Sequence, residues 1–241
     1  MTLIAALQGQ DGLVIGSDSR ATIGDPRGLT AIRDVHDKII QLSDYCGLAV
    51  SGAAELANTL LEGLQAHISQ QNLINTTPIV HLAHDHCRNF YTNWFGRRQW
   101  VAPGNLVDQR PSVLFILAGY DKDDSDTFSP VIYLLNSGIE FTPQKCTAGH
   151  MLAGVPQYAT YLIHRLYNPQ MEIKHLKALT TYLISETATQ DPKVGGPIKL
   201  ATITPNEGYK ELDKKIIESI IETNEEQNQK LKDFFFGGND V

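Results

Sequence analysis

Strand-like and helix-like segments occur in separate blocks along this chain of 241 residues, and that order restricts its fold more than any other feature. Four short apolar runs come first, and two stretches with the apolar periodicity of a helix follow them. The second half of the chain shows a similar succession. Blocks of consecutive strands indicate antiparallel sheets, whereas a parallel sheet needs strands and helices to alternate one by one. The pattern therefore predicts an α+β fold, a four-layer αββα sandwich with two antiparallel sheets between helix layers.

The first half of the chain contains two predicted hairpins and two predicted helices. The strands are residues 2–7, 13–17, 38–42 and 47–50. Asp11-Gly12 and Ser43-Asp44 supply the hairpin turns, and a polar loop is expected through Arg33. Apolar residues recur at helical spacing from Ala53, and a second helix begins at Thr77, with Pro78 in its first turn.

The second half repeats the succession of strands and helices. The predicted strands are residues 113–118, 131–135 and 198–204, and the predicted helices are residues 156–167 and 172–189. A turn at Asn136-Ser137-Gly138 leads into Ile139-Glu140-Phe141. We expect a single domain over residues 1–241, with a helical tail over 211–241. The three phenylalanines Phe234–Phe236 near its end are expected either to fold back on the domain or to bury against a neighbouring subunit.

Composition restricts the partners and the compartment. A net charge of −7 argues against nucleic-acid binding, and no glycine-rich phosphate motif indicates a nucleotide cofactor. The longest purely apolar run, residues 113–118, is too short to cross a bilayer, and no signal peptide begins the chain, so we expect a cytoplasmic protein. The widely spaced Cys46, Cys87 and Cys146 indicate reduced core residues.

A histidine-rich stretch, His81, His84, His86 and Cys87, lies in the second predicted helix. Helical spacing places His81 and His84 on one face, whereas His86 points away from it. No carboxylate that could orient these rings is visible, and a partly exposed helical face explains them more simply than a metal site. No metal and no cofactor is expected.

The opening segment contains the candidate for chemistry. Thr2 is followed directly by the first predicted strand, and a small second residue permits removal of Met1. A threonine hydroxyl needs a base beside it, and an N-terminal threonine carries its own in the α-amine, whose pKa is about 7.7–8.0. Thr2 could instead be no more than the first residue of an edge strand.

Several stretches occur in one order over nearly the whole chain: "GSDSRAT", a lysine before the next strand, "SGAAELANTLL", "AGYD" and "QDPKVGG". This order resembles proteasome β-type subunits, which are N-terminal-nucleophile hydrolases. The resemblance implies the αββα fold of that family. It also implies a threonine peptidase that cuts peptide bonds through an acyl ester on Thr2.

The resemblance also implies the residues that assist Thr2. Lys38 would lower the pKa of the hydroxyl and relay its proton, and Asp18 would hold the lysine. Arg33 is the alternative to Lys38, but a guanidinium that stays protonated is a poor relay. The backbone N–H of Gly52 would stabilise the oxyanion, and the same glycine also suits a tight strand-to-helix turn.

Two stretches depart from the family pattern. Val194 stands where the family has a serine in "D-x-x-S-G-G", although Asp191 is present to support the terminal amine. The "G-S-G" stretch of the family corresponds to Ala153-Gly154-Val155 or to Ala148-Gly149-His150, again without serine. These departures leave weak or absent activity as the alternative to an active peptidase.

The resemblance further assigns a substrate pocket. Its walls would be formed by Ala21, His36, Ile40, Val50 and Ala54. Because none of these residues offers a carboxylate, we expect apolar or small neutral side chains before the scissile bond.

Three functions remain open at this point. The first is a threonine endopeptidase that acts on peptides or unfolded proteins, inside a homo-oligomeric ring and with an ATP-dependent unfoldase as partner. The second is a non-catalytic structural or binding relative. The third is a small-amide amidohydrolase with the same fold.

Overall fold

A computed structural model describes residues 2–24, 30–96 and 110–237. Met1, residues 25–29 and 97–109, and the last four residues of the expected tail lie outside these ranges. Two five-stranded antiparallel sheets form the centre of the molecule, and helices cover both outer faces. The predicted four-layer αββα class is therefore confirmed.

The first sheet contains the N-terminal hairpin, β1 (Leu3–Gln8) and β2 (Leu13–Ser17). In spatial order, its strands are β10, β1, β2, β11 and β12. The three others are β10 (His150–Gly154), β11 (Lys199–Thr204) and β12 (Gly208–Glu211). The hairpin thus lies between two strands from the second half of the chain.

The second sheet is built from five strands that are consecutive in the chain. Its order is β5 (Ile39–Ser43), β6 (Cys46–Gly52), β7 (Val113–Lys122), β8 (Phe128–Asn136) and β9 (Gln144–Lys145). A 3-10 turn, Ser137–Ile139, follows β8. Glu140 and Phe141 then take left-handed conformations that carry the Phe141 ring into the core.

In the part of the chain that the structure describes, five helices cover the sheets. They are α1 (Ala54–Gln71), α2 (Thr76–Phe95), α3 (Gln157–Leu166), α4 (Ile173–Gln190) and α5 (Lys214–Phe236). The first two pack on the second sheet, and the other three lie on the side of the first sheet. In the described part of the chain, no helix is both long and apolar enough to span a membrane.

Three apolar clusters correspond to the interfaces between the four layers. One lies between the two sheets and includes Ile4, Ile15, Ile39 and Ile116. The other two lie between each sheet and its helices, and Cys46 and Cys87 are buried in one of them. Because β1 and β2 face apolar clusters on both sides, they consist of almost continuous apolar residues.

The structure corrects the prediction for the segment around Arg33. A polar loop was expected there, but β3 (Ala21–Gly24) and β4 (Thr30–Arg33) form a small antiparallel ribbon. Each strand has only four residues, too few for hydrophobic alternation to reveal it. Backbone pairing, with Thr22 opposite Ile32, defines the ribbon instead.

Candidate active site

Three chain segments meet beside the first residue of β1. Asp18 follows β2 directly, Lys38 precedes β5 directly, and Gly52 ends β6. The β1–β2 hairpin pairs Ile4 with Ser17, which places Asp18 beside Thr2. Stacking of the two sheets brings the start of β5 over the same point. Residues far apart in sequence therefore lie side by side.

The Lys38 ammonium is the centre of this cluster. It donates hydrogen bonds to Thr2 Oγ1, to Asp18 Oδ1 at 3.0 Å and to the Arg20 carbonyl at 2.6 Å. Thr2, Asp18 and Lys38 are all buried. All three ammonium protons therefore have acceptors, and one of these acceptors is the threonine hydroxyl.

Asp18 is held rigidly by backbone donors. Its Oδ1 accepts from Leu3 N at 3.2 Å, and its Oδ2 accepts from Arg20 N and Gly195 N, both at 3.1 Å. Four donors, including Lys38, thus fix this carboxylate. Such a carboxylate can orient the lysine without moving itself.

Burial opposes the charges of this ion pair. Loss of hydration raises the pKa of Asp18, although Lys38 and the backbone donors act against that effect. Loss of hydration likewise lowers the pKa of Lys38, against the attraction of Asp18. The Lys38 ammonium therefore loses its proton more readily than a solvent-exposed lysine does.

A cavity of about 490 Å³ opens beside Thr2. Its wall includes Lys38 and Gly52, and four of the five predicted pocket residues also line it: Ala21, His36, Val50 and Ala54. The fifth, Ile40, is not among the described lining residues and packs against the apolar cluster under α1 and α2.

Gly52 has a conformation that only glycine adopts readily. Its φ is +113°, and a Cβ at this position would lie 2.1 Å from the Ser112 carbonyl oxygen. The tight turn between β6 and α1 therefore requires a glycine. Its role as an oxyanion donor stays a prediction.

Asp191 does not join the cluster in the described structure. It is not among the described lining residues of the cavity, and its Oδ1 accepts a hydrogen bond from Lys193 N at 2.8 Å. Val194 is fully buried in the apolar cluster under α4. The sequence-based role of Asp191 as a support for the amine stays untested.

The structure distinguishes the two candidate counterparts of "G-S-G". Val155 N donates to the Thr2 carbonyl at 2.9 Å, and Gly154 pairs with Leu3. His150 pairs with Leu7, at the other end of β1. The stretch 153–155 is therefore the one beside Thr2.

Two further features of the site were not predicted. Ser51 is buried in the cavity wall, and Arg20 forms a bidentate ion pair with Asp34 beside Lys38. Arg20 belongs to the quoted "GSDSRAT" stretch, but nothing in the sequence pairs it with Asp34. Only the ribbon β3–β4 brings them together.

Two of the three histidines of α2, His84 and His86, lie against backbone carbonyls. His84 Nδ1 lies 2.9 Å from the Phe141 carbonyl oxygen, and His86 Nε2 lies 3.1 Å from that of Leu60. Among the residues that the structure describes, no cluster of three histidine, cysteine or acidic side chains could hold a metal ion.

Comparison with known proteins decides the family. The family model for proteasome subunits matches residues 2–203, which include every described helix except α5 and every described strand except β12 and the last residue of β11. The chain belongs to the proteasome family. β12 and the long helix α5 lie beyond the matched residues.

Individual relatives of this proteasome-family chain cover most of its length. The proteasome subunit beta of Methanosphaera stadtmanae is 28% identical over 213 residues, which cover 87% of this chain and 89% of the relative. The proteasome subunit beta type-9 of Bos taurus is 24% identical and covers 84% of this chain, with 82% of its own length matched.

A solved structure with the same fold is the Anbu Gly-1 mutant from Hyphomicrobium. Its TM-score is 0.74 at 16% identity, and the superposition covers 100% of this chain and 99% of that one. α5 therefore falls within the aligned fold, although it lies outside the family match.

Proposed function

We propose that this proteasome-family chain is a threonine peptidase whose nucleophile is Thr2 after removal of Met1. One observation carries the proposal: the buried Lys38 ammonium donates to both Thr2 Oγ1 and Asp18. A cation held against a hydroxyl stabilises its alkoxide and so lowers the cost of activating it.

The free α-amine of Thr2 would accept the hydroxyl proton as the oxygen attacks the peptide carbonyl. The C–N bond then breaks, the amine returns the proton to the leaving nitrogen, and an acyl ester on Thr2 remains. Water hydrolyses this ester and regenerates the hydroxyl. Gly52 N–H at the cavity wall is the proposed donor to the oxyanion, and such a donor contributes about 3–4 kcal/mol.

We propose a preference for apolar or small neutral side chains before the scissile bond, although the carboxylates of Asp37 and Glu55 also lie on the cavity wall. Ala21, Val50 and Ala54 contribute short apolar side chains to its wall. We expect a panel of fluorogenic peptides to give its highest kcat/KM with such residues. An arginine substrate as the fastest member would contradict this assignment.

A non-catalytic subunit is the second candidate. It is favoured by the burial of Val194 in the core and by the contact of Asp191 with Lys193 N rather than with the cluster. Position 194 lacks the supporting hydroxyl that the family pattern has there, and the stretch 153–155 lacks another. A relative of this kind would bind or build an assembly without cutting peptides.

The family membership also supports an assembly. We propose that the chain forms a homo-oligomeric ring in the cytoplasm that takes peptides or unfolded proteins, with an ATP-dependent unfoldase as partner. The supporting observation is that the relatives are proteasome subunits matched over most of their length.

The decisive experiment combines mass spectrometry with peptide hydrolysis. Intact mass should show loss of Met1, and an epoxyketone probe should label Thr2. Thr2→Ala should abolish turnover, Thr2→Ser should keep part of it, and Lys38→Ala should be nearly as damaging as Thr2→Ala. Thr59→Ala, an exposed helical position, is the matched control and should leave turnover unchanged.

The outcomes separate the candidates. Undiminished hydrolysis by Thr2→Ala, or a probe adduct on another residue, would refute the nucleophile. A processed chain with neither adduct nor turnover would identify the non-catalytic subunit. Turnover of small amides without turnover of peptides would identify an amidohydrolase.

A further inference from the structure

Arg20 and Asp34 form a two-point ion pair directly beside the catalytic cluster. Arg20 Nε donates to Asp34 Oδ1 and Nη2 donates to Oδ2, both at 2.9 Å. Both side chains are partly shielded from solvent. A bidentate guanidinium–carboxylate pair fixes the distance and also the relative orientation of the two segments that carry it.

The backbone of Arg20 contacts two members of the cluster. Arg20 N donates to Asp18 Oδ2 at 3.1 Å, and the Arg20 carbonyl accepts from Lys38 Nζ at 2.6 Å. Any shift of this peptide unit therefore moves the aspartate and the lysine together. Asp34 lies four residues before Lys38, so the ion pair holds the segment that leads into the lysine.

The same pair holds a third segment, residues 192–196. Arg20 Nη1 donates to the Pro192 carbonyl at 3.0 Å. A Cβ on Gly195 would lie 2.6 Å from the guanidinium carbon, and a Cβ on Gly196 would lie 2.8 Å from Asp34 Cβ. The two glycines thus let the backbone lie directly on the pair, which places Gly195 N against Asp18.

We propose that Arg20 and Asp34 are positioning residues for Lys38, which lock three chain segments around it and balance the charges next to it. This inference rests on the proposed threonine-peptidase function, in which Lys38 must hold its ammonium against Thr2 Oγ1. Neither residue of the pair touches the threonine in the described contacts.

The charges around Lys38 make the proposal specific. Asp18 contacts the ammonium directly, and the charges of Arg20 and Asp34 act on it in opposite directions. The other charged or titratable groups on the cavity wall are Arg33, His36, Asp37 and Glu55. Burial is the largest influence and lowers the pKa of Lys38, whereas Asp34 raises that pKa and Arg20 lowers it.

Because the two partners act in opposite directions, neutralising each one has an opposite effect. Asp34→Asn leaves the Arg20 cation uncompensated, so the pKa of Lys38 should fall. Arg20→Gln leaves the Asp34 carboxylate uncompensated, so that pKa should rise. A purely structural role predicts instead that both variants loosen the site in the same way.

The test is the pH dependence of kcat/KM for the processed full-length protein with a fluorogenic peptide. If the lysine acts as an ammonium, the alkaline limb of the profile reports its loss of a proton. We expect Asp34→Asn to shift this limb to lower pH, Arg20→Gln to shift it to higher pH, and the double variant to lie between them. Both single variants should lower kcat about 10- to 100-fold with little change in KM.

The exposed ion pair between Arg88 and Glu140 provides the control. Arg88→Gln should change neither kcat nor the pH profile. Shifts of both active-site variants in one direction, or no shift of either in an active enzyme, would overturn the proposal.

A second measurement separates this proposal from the proposed function. Lysine ¹³Cε chemical shifts report the titration of Lys38 without any turnover, with Lys38→Arg used to assign the signal. If the wild-type chain hydrolyses nothing and Thr2 takes no probe, the peptidase function fails. Shifts of the Lys38 titration in opposite directions in Asp34→Asn and Arg20→Gln would then still support the positioning role of the ion pair. Shifts in the same direction, or no shift, would overturn it.

Discussion

The backbone of Thr2, the candidate nucleophile, lies so close to position 154 that this position requires a glycine. Its φ is +91°, and a Cβ there would lie 1.8 Å from the Thr2 carbonyl oxygen. No serine fits at this position, and the neighbouring Val155 and Val194 are buried in the apolar cluster under α4. Close backbone contact therefore excludes a serine side chain at position 154, and the apolar surroundings disfavour a hydroxyl at position 194.

Gly154→Ala should consequently displace Thr2. We expect a loss of turnover of about 100-fold, because a shift of about 1 Å in a nucleophile has an effect of this size. The free energy of unfolding should fall by about 1–3 kcal/mol through backbone strain. Steady-state kinetics and urea unfolding measure the two effects.

Gly138→Ala is the matched control for this substitution. A Cβ there would meet only the Asn136 side chain, at 3.2 Å. It should leave kcat unchanged. A fully active Gly154→Ala enzyme would show that the Thr2 carbonyl has room to move.

Among the secondary-structure elements, the contact between α1 and α2 includes a partly buried histidine. The His86 ring lies over Gly63, where a Cβ would come within 2.7 Å of Cε1, and its Nε2 donates to the Leu60 carbonyl. Burial lowers the pKa of His86, and the nearby His67 ring acts in the same direction. The folded chain therefore binds a proton at this site less readily than the unfolded chain.

The stability of the fold should therefore increase with pH around His86. A histidine with a lowered pKa in the folded state stabilises the fold above about pH 6.5, and this contribution is lost as the pH falls below that value. We expect the Tm to be lower at pH 5.5 than at pH 7.5. His86→Gln should weaken this dependence, because glutamine can still donate to Leu60 but does not titrate.

His150, whose pKa burial also lowers, should account for part of the remaining dependence. His81→Gln, at an exposed position of α2, serves as the control and should leave the dependence unchanged. Calorimetry at pH 5.5 and pH 7.5 measures the Tm of each variant. An unaltered pH dependence in His86→Gln would refute the assignment.

At the scale of the whole molecule, α5 extends beyond the surface that supports it. Asn224 and Asn228 donate side-chain hydrogen bonds to α4, at 3.1 and 2.9 Å, but residues 229–236 are all exposed. The sequence left open whether Phe234–Phe236 fold back. In the structure they do not, with exposures of 77%, 69% and 85%.

We expect these phenylalanines to be buried between subunits of a homo-oligomer. Removing one such side chain from water stabilises an interface by about 1.5–3 kcal/mol. Light scattering at micromolar concentration should give a multiple of the 26.7 kDa chain mass. Replacement of all three by serine should shift the mass towards smaller species.

Ile74→Ser, an exposed apolar position between α1 and α2, is the control and should leave the mass unchanged. A single-subunit mass for the unmodified chain would exclude the oligomer. An unchanged oligomer in the serine variant would place the interface elsewhere.

The long helices and strands could be predicted from the sequence, because apolar periodicity is a local property of the chain. The helix expected from Ala53 is α1, and the expected strand 198–204 is β11 with one residue fewer. The ribbon β3–β4 and the strand β10 were missed, since short and partly exposed strands carry almost no apolar alternation.

The candidate site was likewise predictable only in part. The residue types Thr2, Asp18 and Lys38 were predicted from motif order, but their mutual hydrogen bonds exist only because a hairpin and the start of a second sheet meet at one point. The Arg20–Asp34 pair and the burial of Val194 have no sequence signal at all. Side-chain contacts between distant segments depend on how the layers stack, and only the tertiary structure decides that stacking.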